Sequence, residues 1–251
     1  MEAQGRLVGE RYRLRRRVGA GASGTVWQAF DERAAREVAV KRPRLPGDPE
    51  DAAYRRAAHR LYREARAAAR VDHPAAVRIH DVVVEEAGLD GLPWIVMEWV
   101  PGESLHEVLR RGPVEAPEAA RIGLAVLGSL RAAHAVGIVH RAVRPAKVLL
   151  GPHGRVVLTD FGTARAPDEG PHRGAGPEAD LRALGDLLRT AVGDRAPAAP
   201  LGPLIESLRA GGGDGAGRPD AQEVERHLRE VAGTRRPAPD RRDAIRSGPS
   251  A

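Results

Sequence analysis

A glycine-rich stretch near the start of the chain has the residue types and spacing that can cradle phosphate groups. Residues 18–26 read VGAGASGTV, in which Gly19, Gly21 and Gly24 make the pattern G-x-G-x-x-G. In dinucleotide-binding proteins this pattern opens a helix, but the residues that follow here, TVW, are β-branched and aromatic and favour a strand. The sequence therefore predicts a glycine turn between two strands, whose backbone amides can close over phosphates. A plain hairpin turn is the alternative.

A lysine and a glutamate further along the chain can extend such a phosphate site. Of the 40 basic residues, only Lys41 and Lys147 are lysines. Lys41 ends the strand-like run VAVK, downstream of the glycine turn, and a compact ammonium there can reach the α- and β-phosphates of a nucleotide. A buried lysine needs a carboxylate partner, and Glu64 in the helix-like YREARAAAR is the candidate. The alternative is that both are surface charges.

The elements that must position these groups change in character near Pro101, from mostly β to mostly α. Alternating apolar and polar residues predict strands between residues 11 and 40. Further strands are predicted over 77–84, 94–100, 138–139, 148–150 and 156–158, and helices over 52–70, 104–111, 117–136, 180–192, 204–209 and 221–231. The predicted organisation is an N-terminal extension over 1–10, a first lobe over 11–100, a second lobe over 101–232 and a disordered Arg/Pro-rich tail over 233–251.

Composition excludes several classes of protein. The chain has 251 residues and no cysteine, which rules out disulfides and thiolate metal sites. No apolar run approaches the roughly 20 residues of a membrane helix, and the N-terminus lacks the apolar stretch of a signal peptide. A formal charge of +6 raises the question of nucleic acid, but acidic residues are interspersed and aromatics are only 3%. We expect a cytoplasmic protein with no nucleic-acid partner and no membrane segment.

Six motifs resemble, in order and spacing, those of the protein kinase fold, and they are most similar to bacterial, actinobacterial-type Ser/Thr protein kinases. The motifs are the glycine turn, VAVK, REA, IVMEWVPGESL, VHRAVRPAKVLL and LTDFGTAR, and the resemblance covers roughly residues 10–232. It implies a two-lobed α+β fold, with an antiparallel β N-lobe that carries one helix and a reduced helical C-lobe. It also implies that ATP or ADP binds in the cleft between the lobes.

The resemblance assigns roles to individual residues. Met97 would be the gatekeeper, and Glu98 to Val100 the hinge that offers backbone hydrogen bonds to adenine. Asp160 would hold one Mg²⁺, and Asp180 would brace the catalytic loop from inside the C-lobe. The implied nucleotide site consists of Val18, Gly19, Gly21, Gly24, Val26, Ala39, Lys41, Glu64, Met97, Glu98, Val100 and Leu149, among which Val26, Ala39 and Leu149 would sandwich the ring.

The catalytic loop departs from the family pattern at the positions that carry the chemistry. Active kinases have H-R-D followed five residues later by Asn, whereas this chain has Ala142 and Lys147 at those positions. Ala142 cannot accept the proton of a substrate hydroxyl, and losing a positioned base costs roughly 10²–10⁴-fold in rate. Lys147 cannot coordinate a second Mg²⁺, but it can act as a tethered substitute cation, so we expect weak or dispensable magnesium dependence. Arg144 replaces the usual lysine of the loop and keeps its charge.

The segments that would dock a protein substrate are short. Residues 161–179, FGTARAPDEGPHRGAGPEA, would have to hold the whole activation segment, and beyond Thr163 they contain no Ser or Thr to phosphorylate. Arg141 would therefore lack its usual phosphate partner. The stretch GDRAPAAPLGP over 193–203 is too short and proline-rich for the family's helix G and its loops. A remnant ion pair between Glu178 and Arg218 is a further expectation.

Three hypotheses about function follow from these departures. The first is a nucleotide-binding pseudokinase that acts as a regulatory or scaffold module for an unidentified protein partner. The second is a Ser/Thr kinase with residual or atypical phosphoryl transfer, because much of that chemistry is positioning and charge stabilisation. The third is an interaction protein that keeps the fold but binds no nucleotide.

Overall fold

The computed structural model describes residues 4–85, 91–161, 176–193, 200–210 and 219–233. Its first half is a six-stranded antiparallel sheet in the order β1-β2-β3-β4-β6-β5. The strands are β1 Leu7–Val8, β2 Tyr12–Gly21, β3 Gly24–Asp31, β4 Arg36–Pro43, β5 Ile79–Val83 and β6 Trp94–Glu98. Tyr12 and Leu14 are buried while Arg13 is exposed, as the period of two requires. Because β1 buries Val8 and pairs with β2, the sheet begins before the predicted lobe boundary at residue 11.

One helix packs against this sheet, as predicted. Helix α1 spans Ala52–Ala68 and buries Tyr54, Ala58, Leu61, Ala65 and Ala68, which recur every three or four residues. Its opposite face carries arginines that remain in solvent. The helix packs against β5 of the sheet.

The second half is helical around a small antiparallel sheet of order β7-β8-β9. Its elements are β7 Glu103–Ser104, α2 Leu105–Leu109, α3 Ala116–Ala135, β8 Val148–Leu150, β9 Val156–Leu158, α4 Pro177–Val192, α5 Leu201–Arg209 and α6 Ala221–Gly233. Helix α3 is the centre of this half, because it packs against both α4 and α6. The α+β, two-lobed fold class predicted from the sequence is confirmed.

Three predicted details differ from the structure. The pair 138–139 is not a strand: the Ile138 N–H donates to the Ala133 carbonyl at the end of α3 (2.9 Å), so its backbone serves a helix terminus and not a sheet ladder. Helix α4 begins at Pro177, which places Asp180 inside the first turn and not at its start. Helix α5 begins at Leu201, within the stretch predicted to be a loop. The other predicted helix ends agree within two residues.

The two halves share one hydrophobic core, which fixes the cleft between them. Ala39 and Met97 from the large sheet belong to the same buried cluster as Leu105 and Leu158 from the helical half. Backbone hydrogen bonds also cross the boundary, because Val77 N–H donates to the Leu158 carbonyl at 2.9 Å. No helix among the described residues is long and apolar enough to cross a membrane. Residues 234–251 of the predicted tail, residues 162–175 of the short segment and Arg218 lie outside the described residues.

Candidate functional site

The predicted glycine turn is a tight hairpin between β2 and β3. Gly24 lies opposite Gly21 and has a φ of 125°, a conformation that favours glycine. A Cβ on Gly24 would lie 2.2 Å from the Arg42 carbonyl oxygen, whereas a Cβ on Gly19 or Gly21 would meet nothing within 4 Å. The fold therefore requires glycine at position 24 only. At the other two glycines the backbone is open to any group that approaches it.

Lys41 is directed into the interior beside the first residue of the DFG sequence. It lies on β4, where its side chain is 2% exposed, and its Nζ donates to Asp160 Oδ1 at 2.9 Å. Asp160 comes directly after the β9 turn and has a φ of 68°. These two residues are 119 positions apart in the chain, so the lobes must close on each other for the pair to form.

The second lysine of the chain reaches the same carboxylate. Lys147 ends a short 3-10 turn, and its Nζ donates to Asp160 Oδ2. Its backbone is tied to the same segment, because the Thr159 N–H donates to the Lys147 carbonyl at 2.9 Å and the Thr159 hydroxyl donates to it at 3.2 Å. Lys41, Lys147 and Asp160 therefore form a compact cluster of two ammonium groups on one carboxylate, which we call the lysine clamp.

The charges of the lysine clamp depend on one another. Burial alone would favour neutral Asp160, but the positive charges of Lys41 and Lys147 outweigh it and hold the pKa of Asp160 below its ordinary value. Burial lowers the pKa of Lys41, against the favourable charge of Asp160 and with the repulsion of Lys147. At neutral pH we therefore infer an ionised Asp160 held between two cations, with a net positive charge on the cluster.

The family implies Mg²⁺ beside Asp160, and the residues of the clamp do not fit that ion. Both oxygens of the carboxylate accept from ammonium groups, and an ammonium repels a dication. Magnesium prefers several oxygen ligands. The described ranges contain no group of three or more His, Asp or Glu side chains that could hold a metal ion.

A second buried aspartate fixes the backbone of the catalytic loop. Asp180 on α4 is completely buried and accepts from the main-chain N–H groups of His140 at 2.8 Å and Arg141 at 2.7 Å. His134 of α3 contacts the same carboxylate through Nε2 at 2.7 Å. Arg141 has a φ of 65°, a costly conformation for a residue other than glycine. The brace expected of Asp180 is therefore present.

The His140 ring connects this loop to the DFG segment. Its Nδ1 accepts from the Ala142 N–H at 3.2 Å, so the proton lies on Nε2, which donates to the Thr159 carbonyl at 2.8 Å. Burial lowers its pKa, which keeps the ring neutral. Phe161 packs edge-on against it with ring centroids 4.9 Å apart. Ala142 is thus held where its family relatives carry a proton acceptor, but it presents only a methyl group.

The apolar residues expected around a purine ring lie together. Ala39, Met97 and Val100 are buried in the shared core, and Val26 and Leu149 pack against it from opposite lobes. Val18 is 38% exposed, outside this cluster. The grouping unites five residues from four separate strands and the segment after β6 in one hydrophobic cluster that spans both lobes.

The hinge is more constrained than the sequence indicated. The Glu98 N–H donates to the Arg78 carbonyl at 2.9 Å and is therefore not free for adenine. The Glu98 carboxylate accepts from Arg155 at 2.8 Å, which links the hinge to the β8–β9 turn of the second lobe. Adenine recognition would have to use the remaining backbone groups of residues 98–100.

Glu64 lies half-buried on the inner part of α1. The described carboxylate partner of Lys41 is Asp160, and the ion pair between Lys41 and Glu64 stays a prediction, as does the pair of Glu178 with Arg218. Sequence reasoning missed that both lysines would share Asp160. The scarcity of lysine was the available signal, because a coding preference for arginine leaves lysine where an ammonium is needed.

The known proteins that this chain resembles in sequence are protein kinases. A sequence model of the protein kinase domain matches residues 12–196. The serine/threonine-protein kinase PknA of Mycobacterium tuberculosis is 39% identical over 165 residues, which cover 64% of this chain and 37% of that protein. A probable serine/threonine-protein kinase of Streptomyces coelicolor is 40% identical over 164 residues, 64% of this chain and 24% of its own length. The probable kinase pknA2 of Bifidobacterium longum is 34% identical over 189 residues, 74% of this chain and 23% of that protein. The chain thus matches well under half the length of these relatives.

Proposed function

Because the chain belongs to the protein kinase domain family, we propose that it is a nucleotide-binding pseudokinase that serves as a regulatory or scaffold module. One contrast carries the proposal. The cleft keeps its glycine turn, its buried Lys41 and its apolar cluster, while Ala142 stands in an intact loop where a proton acceptor is required.

The residues of the cleft suit an adenine nucleotide. Val26, Ala39 and Leu149 offer apolar contact to both faces of a purine ring. Gly19 and Gly21 leave room for phosphates beside the backbone, and Lys41 supplies positive charge from the floor. A nucleotide held at these points would bridge both lobes. At 100 times its dissociation constant, such a ligand stabilises the bound form by about 2.7 kcal/mol, which is enough to bias the surface shown to a partner.

Phosphoryl transfer is disfavoured because no group of the loop can take the hydroxyl proton. The loop over 140–147 reads HRAVRPAK and contains no acidic side chain. The intact brace of Asp180 keeps the loop in place, which supports the second candidate, a kinase with residual activity from positioning alone. The lysine clamp, in which both oxygens of Asp160 already accept from ammonium groups, supports the third, a cleft that stays empty.

Thermal unfolding with and without ATP or ADP tests the proposal. We expect saturable stabilisation by either nucleotide, which Lys41→Met should abolish because the phosphate contact is lost. A surface change, Arg131→Met on α3, is the matched control, since its ion pair with Glu225 is exposed. Stabilisation that is absent in the unmodified chain would sink the proposal and favour the empty cleft.

A kinase assay with radiolabelled ATP separates the first two candidates. We expect no transfer to generic protein substrates or to the chain itself. Robust labelling that disappears in Lys41→Met would establish the residual kinase instead. The double change Ala142→Asp with Lys147→Asn restores the family's residues, and we expect it to stay inactive on proteins because the segment over 161–179 is too short to build the docking face.

A further inference from the structure

We propose that Lys147 makes the cleft selective for metal-free nucleotide, so that Mg²⁺ opposes nucleotide binding. This inference rests on the proposed nucleotide binding and deepens it, because it names the form of the nucleotide that the site takes. It goes beyond a site that merely tolerates the absence of magnesium.

The geometry of the lysine clamp is the first observation. Lys41 and Lys147 donate to different oxygens of Asp160. The exposed fraction of the side chain is 2% for Lys41, 13% for Lys147 and 9% for Asp160. A metal ion bound to this carboxylate would lie against both ammonium groups or displace one of them. Moving Lys147 away would remove an ammonium that compensates a carboxylate whose side chain is only 9% exposed, which is costly in a region of low dielectric.

The anchoring of Lys147 is the second observation. Its carbonyl accepts two hydrogen bonds from Thr159, one from the backbone and one from the hydroxyl. Thr159 is also tied to His140, whose ring donates to its carbonyl. The main chain of Lys147 is therefore held beside Asp160 by the same network that holds the catalytic loop, so the ammonium is built into the site.

The sign of the charge is the third observation. The clamp combines two cations with one anion. The guanidinium of exposed Arg144 lies close enough to repel Lys41, and burial and this repulsion both lower the pKa of Lys41. Such a positive floor attracts the phosphate tail of free nucleotide. In a magnesium complex of ATP, the metal covers the same phosphate oxygens and brings two positive charges toward Lys147. The lysines and the metal therefore compete for one set of oxygens.

Calorimetric titration of the unmodified chain with ATP tests this competition. One arm contains a chelator and the other a saturating concentration of MgCl₂, with NaCl adjusted to equal ionic strength, because screening alone weakens charge contacts. We expect affinity for ATP to fall by at least about tenfold, equivalent to about 1.4 kcal/mol, when magnesium is added. AMP should show almost no difference, since its single phosphate binds the metal weakly and reaches the clamp poorly.

The outcomes separate the two proposals. Binding that is equal or tighter with magnesium overturns the inference and leaves nucleotide binding standing. Absence of binding in both arms overturns the proposed function, and the inference with it.

Three variants assign the effect to Lys147. Lys147→Asn supplies an amide oxygen and removes the cation, and we expect magnesium to strengthen ATP binding in this variant. Lys147→Arg keeps the charge and should retain the magnesium penalty. Arg121→Asn removes a cation from an exposed ion pair on α3 and should behave as the unmodified chain. A Lys147→Asn variant that folds but keeps the penalty would show that Lys147 is not its source.

A direct metal readout guards against misreading an unstable variant. Mn²⁺ stands in for Mg²⁺, and its electron paramagnetic signal in the presence of ATP reports binding to the protein. We expect no protein-bound Mn²⁺ with the unmodified chain or Lys147→Arg, and a bound signal with Lys147→Asn. Bound Mn²⁺ in the unmodified chain would contradict metal exclusion whatever the variants do.

Discussion

Two aspartates whose side chains have little contact with solvent are satisfied in different ways. Asp160 in the cleft is held by the ammonium groups of Lys41 and Lys147. Asp180 behind the catalytic loop is held by two main-chain N–H groups and by His134. The first arrangement depends on which side chains are present, and the second depends mainly on the path of the backbone.

On the proposed function, this difference explains how a catalytic loop can keep its conformation without a catalytic residue. The brace of Asp180 uses the amides of His140 and Arg141 and makes no demand on the side chain at position 142. Replacing a proton acceptor there with alanine therefore removes chemistry and leaves the frame. In the cleft, we propose that Lys147 changes the charge and with it the ligand that fits. Changes in the frame should cost stability, and changes in the cleft should cost or redirect binding.

The largest effect is expected from Asp180→Ala. Two main-chain donors and His134 would lose their acceptor in a completely buried site, and such losses cost about 3–5 kcal/mol. Urea denaturation measures the change in the free energy of unfolding. Asp186→Ala on the same helix is the control, because its ion pair with Arg209 is exposed and worth at most about 1 kcal/mol. Equal stabilities for the two variants would show that Asp180 does not hold the catalytic loop in place.

The next effect contrasts two glycines of one hairpin. Gly24→Ala would place a methyl group 2.2 Å from the Arg42 carbonyl at a φ of 125°, and we expect it to cost about 3 kcal/mol. Gly19→Ala meets no atom within 4 Å and should leave stability within about 0.5 kcal/mol, yet weaken ATP binding by obstructing the phosphates. Denaturation and ATP titration of both variants check this. The comparison breaks if Gly19→Ala destabilises the fold or binds ATP normally.

The smallest effect concerns a third carboxylate, that of Asp31, which is buried at the end of β3 and is held by the charge of Arg11. Arg11 donates two hydrogen bonds of 2.7 Å to it and, against the cost of burial, lowers its pKa from 3.8 to about 2. Because the folded pKa is the lower one, this stabilisation is present above about pH 4 and is lost as the pH falls toward about 2. It amounts to about 2 kcal/mol.

Stability measured between pH 5 and pH 2 checks the contribution of Asp31. Asp31→Asn should be less stable at pH 6 and should lose less stability on acidification than the unmodified chain. Glu32→Gln, whose ion pair with Arg13 is exposed, should follow the unmodified curve. An acid limb that is the same with and without Asp31 would show that the carboxylate is not held by charge.

Much of the fold was predictable because its determinants are local. The strand–glycine–strand hairpin follows from TVW after the glycines, and α1 follows from an apolar stripe with the period of a helix. The error at Ile138 has a local cause, since its N–H donates to the Ala133 carbonyl at the end of α3, but an apolar pair by itself does not distinguish a strand from a helix terminus. The engaged N–H of Glu98 has a distant cause, because its acceptor is the Arg78 carbonyl just before β5. Pairing partners of this second kind cannot be read from a short window.

The sequence by itself determined which groups the cleft contains: its glycines, its two lysines, and a methyl group in place of a base. Only the tertiary structure decided that Lys41 and Lys147 meet on one carboxylate, because Lys41 and Asp160 are separated by 119 positions and become neighbours when the lobes pack together. The motifs along the chain show which functional groups each segment carries. The packing of the shared core decides which charges lie within hydrogen-bonding distance, and electrostatic interactions of buried groups depend on that distance.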